Sequence, residues 1–469
     1  MRIEFFIFFL AYFILIILVN LLFSRRMKSF EDFFLASRSL SAPLVYFSLC
    51  ASWFGAASIL VTTDEAYLRG VASFWLVGMP AVLTVLILGL ILVRAIYSLS
   101  IVTLPDLVEL RYGPAARHLA SLLIFWYMVV FAASQMVAIG QFLKTFLHLS
   151  YFWSLILGTG IVLLYSVFGG LFSVVITESF RFFLISAAIL GLSVFLLRTS
   201  PLQEIRPLAL ALGRTQYFDF FFDFKKNFLT TLSFTLAWTI SPIAWQRIKA
   251  ASTAQKAKKG LLSAAGTFVL LYGLVVSIGI LSLPLLSSGK LGGPLLSELI
   301  LSKTGIFLGG ILFVAVLAAI MSTMDSAINT GALTLTRDVY EQIFQSRKSW
   351  GVVAVGRFST LIVGALAFLI ATKFQSILKT IGLASEIMAE GLFIPGIAMI
   401  FLKKKMPLAG LLSLILGGSF SLASFLSAAG LLPLRLPVWP FSLPFGLALS
   451  LGGFALGLAF EYLNGDKEK

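Results

Sequence analysis

Apolar runs of about twenty residues recur from one end of the chain to the other, separated by short polar stretches. That length suits a helix crossing a hydrocarbon core, and the alternating pattern of a membrane barrel is absent. The pattern predicts an all-α polytopic membrane protein with about 13 spans: roughly 3–24, 42–68, 72–97, 116–144, 150–168, 173–197, 226–248, 260–287, 305–335, 350–372, 376–402, 407–428 and 438–462. The first run is not read as a signal peptide. It is long, no small-residue cleavage site follows, and Arg25 and Arg26 stop it.

Two spans are interrupted. The second, VYFSLCASWFGAASILVTTDEAYLRG, has Ser52 and Gly55 at its centre, with Ala51, Ala56, Ala57 and Ser58 around them. The seventh, TLSFTLAWTISPIAWQRIKA, has Thr239, Ser241 and Pro242 at mid-span, and Pro242 lacks a backbone donor. Unwound backbone at that depth survives only beside protein or water that satisfies it. The two broken spans begin two stretches of five helices, 42–197 and 226–402. Matched interruptions in two halves point to an inverted-repeat transporter with its site at the breaks.

The ninth span carries AAIMSTMDSAINTG at 318–331. Ser322, Asp325, Ser326 and Asn329 have the spacing of one helix face. A carboxylate with hydroxyls is a set of hard oxygen donors that suits a small cation, and intramembrane acids mark ion paths. A seam of hydrogen bonds between helices is the alternative. Arg337 and Asp338 read as interfacial.

Composition sharpens the class. Hydrophobic residues make up 59% of the chain and charged ones 12%, and the mean hydropathy of +1.02 excludes a soluble domain. The net charge of +15 does not indicate nucleic acid, because the basic residues gather in alternate loops. Arg25, Arg26, Lys28 and Arg38 follow the first span; Arg247, Lys249, Lys256, Lys258 and Lys259 the seventh; Arg337, Arg347, Lys348 and Arg357 the ninth; Lys403–Lys405 the eleventh. These loops are placed in the cytoplasm of a cell (inner or plasma) membrane protein, with the N-terminus outside and the C-terminus inside. The longer loop 198–225 breaks the rule, and long segments translocate with less regard to charge. Cys50 is the one cysteine, so no internal disulfide forms, and His118 and His148 fall near helix ends. No nucleophile–base pair or metal cluster lies within the spans, so an enzyme is not expected.

The run AAIMSTMDSAINTGALTLTRDVY resembles the signature helix of the sodium–solute symporter family, as do ASRSLSAPLVYFSLCASWFGAAS, EAYLRG, YSVFGGLFSVVITESF at 165–180 and SPIAWQRIKAAS at 241–252. The resemblance implies a leucine-transporter-like core of five plus five helices, after a leading helix within 1–24 and before two trailing helices within 407–462. It implies secondary transport with sodium as the coupling ion. The family's first sodium site maps onto the carbonyls of Ala51, Phe54 and Ala319 and the hydroxyls of Ser322 and Thr323. A second sodium, bound by some members, would use Glu178, Ser322, Asp325 and Ser326. Glu178 stands where the family usually has Asp, and Arg181 where it often has Gln; an Arg181–Glu178 pair would consume that acid.

The solute is expected beside the two breaks. Candidate lining residues are Ser52, Gly55 and Ala56, then Trp238, Thr239 and Ser241, with Gln135 and Gln141 from the fourth span. Glu386 and Glu390, one turn apart in the eleventh span, would bind a cationic solute, carry a proton, or face a watery vestibule. No arginine or lysine is expected at mid-depth, with Arg181 and Lys379 near helix ends, so a polyanion is not the expected cargo. Amino acids, other zwitterions, cations and neutral solutes remain. The expected partners are the small solute and the lipid bilayer, with no nucleic acid and no obligate protein. Two alternatives stay open: a proton-coupled carrier using Asp325, Glu386 or Glu390, and a solute sensor, which the short tail EYLNGDKEK without a signalling module disfavours.

Overall fold

The computed structural model describes residues 3–24, 38–99, 103–167, 171–286, 291–344, 349–402 and 404–465. Arg25, Arg26, Lys28, Arg347, Lys348 and Lys403, residues 168–170 of one family motif, and residues 466–469 of the tail lie outside them. The described chain is helical, with one isolated β-bridge. Its main helices are α1 (Ile3–Ser24), α2 (Ala42–Trp53), α3 (Thr62–Arg69), α4 (Gly78–Ile87), α5 (Val93–Ser98), α6 (Leu104–Tyr112), α7 (Pro114–Leu147), α8 (Tyr151–Ser166), α9 (Leu171–Thr199), α10 (Leu202–Ala211), α11 (Phe224–Thr239), α12 (Pro242–Ala250), α13 (Ala254–Leu281), α14 (Leu295–Lys303), α15 (Ile306–Leu333), α16 (Ser349–Lys373), α17 (Ile377–Glu386), α18 (Phe393–Phe401), α19 (Pro407–Ala428) and α20 (Leu443–Gly465).

Among the described residues, nine helices are long and apolar enough to cross a membrane, or ten if the bent pair α11–α12 is one span. The expected count of 13 is not reached by this measure, because Ala42–Trp53 and Tyr151–Ser166 are too short taken singly and α1 is counted only over Glu4–Leu18. The long helices α7 and α15 run through the middle, and α7 packs on α8, α15, α16 and α17.

Both expected interruptions are present. Helix α2 ends at Phe54 and Gly55, and a π-helical turn, Ala57–Val61, precedes α3. Helices α11 and α12 meet at a 41° bend across Ile240 and Ser241, with Pro242 in the first turn of α12. Proline suits that position because a first-turn amide has no intrahelical acceptor. The far ends of the two broken helices are tied together: Leu40 N–H donates to Ala250 O at 3.0 Å, and Ser252 N–H to Leu40 O at 3.0 Å.

The segment 198–225, expected as a loop, holds α10 and a run of turns that fold onto the end of α3. Tyr217 Oη donates to Ala66 O at 2.8 Å, Trp75 Nε1 donates to Phe220 O at 2.9 Å, and Arg69 pairs with Asp223 at 2.7 Å. Burial raises the Tyr217 hydroxyl above the usual phenol range. Gly70, at φ 72°, lets the backbone pass Tyr217 O where a Cβ would collide.

Candidate functional site

Helix α15 presents Ser322 and Thr323 to the break in α2. Ser322 Oγ lies 3.0 Å from Ala51 O and 2.9 Å from Ala319 O, and Thr323 Oγ1 lies 3.4 Å from Ala319 O. Four uncharged oxygens thus meet with only two hydroxyl hydrogens among them. That oxygen-rich, hydrogen-poor arrangement fits a small hard cation held at an unwound helix. Phe54 has φ −87° and ψ 63°, which turns its carbonyl out of the helical direction. Gly55 is pressed against the Thr323 side chain, and a Cβ there would also sit 3.0 Å from Gln135 Oε1. Gln135 Oε1 accepts the Ala56 N–H at 3.1 Å, satisfying an amide freed by the break. The structure therefore brings Ala51, Gly55, Ala56, Gln135, Ala319, Ser322 and Thr323 together.

One turn along α15 is a second polar cluster. Glu178 accepts from Ser48 Oγ at 2.5 Å, from Ser52 Oγ at 2.8 Å, and from Ser326 Oγ. Arg247 Nη2 reaches Glu178 at 3.1 Å, Ser52 Oγ at 3.0 Å and Ser326 Oγ at 2.8 Å. All of these side chains are buried, Arg247 completely. This corrects the sequence reading twice. Arg247 lies within the core rather than in a cytoplasmic loop, and it, rather than Arg181, neutralises Glu178. The available signal was its distance from the break: Arg247 is five residues past Pro242, less than two turns of α12. Ser48, four residues before Ser52, was also missed.

Asp325 does not join Glu178 and Ser326. It accepts from Ser166 Oγ of α8 at 2.6 Å and lies 3.7 Å from the fully buried Arg181. Arg181 stacks over the Tyr165 ring at 5.4 Å. Adjacent helical residues point about 100° apart, so Asp325 and Ser326 meet different neighbours. Nor is Asp338 interfacial: it is buried, accepts from Thr103 Oγ1 at 2.7 Å and lies 3.4 Å from Arg117.

The remaining candidates divide. Trp238 stacks on Trp53, with centroids 6.1 Å apart, and on Phe234 at 5.0 Å. Thr239 Oγ1 donates to Thr235 O at 2.7 Å, its carbonyl accepts from Trp245 Nε1 at 3.0 Å, and Ser241 is buried at the start of α12. Ser52 is taken up by the Glu178 cluster. Gln141 is away from the breaks, donating to Gln375 O beyond α16. The carboxyls of Glu386 and Glu390 meet the trailing helices: Ser424 of α19 donates to Glu386 at 3.4 Å, and Gly446 of α20 packs on Glu390.

The end marked by Arg69 and the start of α11 carries a surface cleft of about 260 Å³, lined by Glu65, Arg69, Lys226, Thr230, Lys379 and Trp439. At the opposite end, Arg247 contacts Ser52 and Glu178, and the Leu40–Ala251 bridge joins the two broken helices.

Residues 33–418 match the model of the sodium:solute symporter family. The chain is 28% identical over 449 residues to the sodium/glucose cotransporter of Vibrio parahaemolyticus, covering 84% of this chain and 79% of that one. It is 25% identical over 426 residues to the high-affinity choline transporter 1 of Drosophila melanogaster, covering 86% and 67%. Among solved structures it is similar in fold to the substrate-bound outward-open state of a Na⁺-coupled sialic acid symporter, with TM-score 0.81 at 18% identity, over 97% of this chain and 96% of that one.

Proposed function

We propose a working mechanism for this chain from the fact that it belongs to the sodium:solute symporter family. It is a multi-pass membrane transporter, not an enzyme, and it couples movement of a small organic solute to sodium.

In our reading, sodium binds between the break of α2 and helix α15, at the carbonyls of Ala51, Phe54 and Ala319 and the hydroxyls of Ser322 and Thr323. The observation that carries this is the Ser322 hydroxyl set between Ala51 O and Ala319 O. The ion draws α2 onto α15. That steadies the outward-facing arrangement, so sodium and solute raise each other's affinity by linkage. The solute sits beside both breaks, among Gly55, Ala56, Gln135, Trp238 and Thr239. The Trp53–Trp238 wall and the acid-balanced arginines favour a neutral, zwitterionic or cationic solute. Relatives named for a sugar and for choline are consistent with that range.

The second sodium position is filled by the chain itself. The guanidinium of Arg247 takes the oxygens of Ser52, Glu178 and Ser326 that a second ion would need. One sodium then moves per cycle. The same contact bars the inner end, so inward opening must part Arg247 from Glu178. Residues 42–197 and 226–402 are the two repeats, with 1–24 leading and 407–462 trailing. The basic loops face the cytoplasm, which puts the cleft beside Arg69 outside.

Thermal unfolding of the purified protein tests the site, with sodium, potassium and choline chlorides at matched ionic strength. A ligand specific to the folded state stabilises by about 2.7 kcal/mol at a hundred times its Kd. Sodium alone should raise the midpoint saturably. Ser322→Ala with Thr323→Ala should move half-saturation upward at least tenfold, about 1.4 kcal/mol of binding. An unchanged half-saturation would sink the assignment.

A further inference from the structure

The sodium site leaves one buried pair of acids unused. Glu386 closes α17, and Glu390 lies in the π-helical turn Ile387–Leu392 that follows. A π-helical turn closes over five residues, so both carboxyls fall within one turn, and such turns occur often at functional sites. Both side chains are fully buried. Apart from the Ser424 contact to Glu386 Oε2, their oxygens lack partners: Glu386 Oε1 and both oxygens of Glu390 accept no hydrogen bond. Independently, Ser442, just before α20, lies beside Glu390 with a fully buried hydroxyl that makes no well-formed hydrogen bond. The Glu390 carboxyl packs against Gly446, where a Cβ would collide with it.

Nothing on the neighbouring helices offsets the charge. Elements α7, α11, α18, α19 and α20 pack on this turn. Arg117 of α7 is engaged by Asp106, Glu109 and Asp338, while His118 and Lys144 are exposed. Lys225 and Lys226 lie at the first turn of α11, and Glu461 of α20 accepts the Leu408 N–H at 2.6 Å. Helices α18 and α19 carry no charged residue. On α17 itself, Lys379 is two turns before Glu386 and donates to Ala428 O at 3.4 Å. Buried carboxyls without a counter-charge or hydrogen bonds are costly inside a membrane, and the cost falls when they hold a cation.

We propose that Glu386, Glu390 and Ser442 form a binding site for a monovalent cation, either a proton or sodium, between the π-helical turn and the trailing helices. This site is separate from Ser322 and Thr323. Its occupant sets how α19 and α20 seat against α17, and so adds a second ionic input to the transporter.

The test is the melting temperature of the full purified chain across mildly acidic to mildly alkaline pH, with sodium or choline. Four versions are compared: the natural sequence, Glu386→Gln with Glu390→Gln, Ser322→Ala with Thr323→Ala, and all four substitutions together. If the occupant is a proton, acidification stabilises the Ser322/Thr323 variant without sodium, and the glutamine substitutions remove that response. If it is sodium, the Ser322/Thr323 variant keeps a residual sodium response that the glutamines remove. In either case the glutamine variant alone keeps the half-saturating sodium concentration of the first site, so failure of one site is distinguishable from failure of the other. Unaltered pH and sodium responses after the glutamine substitutions, in both backgrounds, overturn the proposal. Should a variant fold poorly, the natural sequence can be treated with dicyclohexylcarbodiimide, which adds to protonated carboxyls in apolar surroundings. Labelling at Glu386 or Glu390 should fall as pH or sodium rises; labelling that is absent or indifferent to both overturns the site.

Discussion

In the proposed mechanism, Arg247 is the residue that sets the ionic stoichiometry. Its guanidinium stands on Ser52, Glu178 and Ser326 as a tethered cation. Removing one partner of a buried ion pair leaves the other uncompensated, at a cost of about 3–5 kcal/mol. Arg247→Met should therefore lower the melting temperature sharply in sodium-free buffer, and Glu178→Gln added to it should recover most of the loss. In sodium, Arg247→Met alone vacates a site with an acid and two hydroxyls, so the Hill slope for sodium should rise from about one toward about two. A slope that stays at one would argue against Arg247 as the substitute ion. The residue types of this cluster were legible in the sequence, since Glu178, Ser52 and Ser326 all stood out as polar groups in apolar runs. Their partner was not: Arg181 is one turn from Glu178 on the same helix, yet it meets Asp325.

At the scale of the element, the two breaks do the positioning. Gly55 allows Thr323 to approach the α2 backbone, and Gln135 then holds the first free amide of the second half. Gly55→Ala should cost about 1–3 kcal/mol through overpacking. Because the added methyl meets the Thr323 hydroxyl, sodium should also lose much of its stabilising effect, as read by the shift of melting temperature with sodium. A variant that melts lower but keeps the full sodium shift would place Thr323 outside the ion's reach. The positions of both breaks followed from Ser52, Gly55, Ser241 and Pro242. The turns of 200–223 did not, because Phe-rich loop sequence carries no period, and contacts such as Tyr217 to Ala66 O are made only with distant backbone.

For the whole molecule, a cleft lies at the Arg69 end, and contacts of Arg247 and Leu40 join the two broken helices at the other. Leu40 and Ala251 form the bridge that ties the ends of both broken helices on the Arg247 side, the inner side in the proposed orientation. A disulfide between cysteines at these two positions, in a chain with Cys50→Ala, should hold the inner end shut. Sodium should still raise the melting temperature of the oxidised protein, while radiolabelled sodium uptake into proteoliposomes should stop and return on reduction. Uptake that continues in the oxidised state would show that the inner path opens elsewhere. Only the assembled bundle shows these contacts, because they join residues far apart in the chain, 69 positions for Arg247–Glu178 and 195 for Arg247–Ser52.

The order of apolar runs, the two interruptions and the stripe of Ser322, Asp325, Ser326 and Asn329 are local properties, and helix geometry alone converts them into spans, breaks and a polar face. Those the sequence determined by itself, together with the oxygen-rich chemistry at the first break. The pairing of charges was decided by tertiary structure. Glu178 has Arg247, Asp325 has Arg181, and Glu386 and Glu390 have no basic partner among the described residues. The reason is physical: in a membrane interior a buried charge is settled by whichever opposite charge the packing of several helices brings within a few ångströms, and nearness along the chain does not specify that packing.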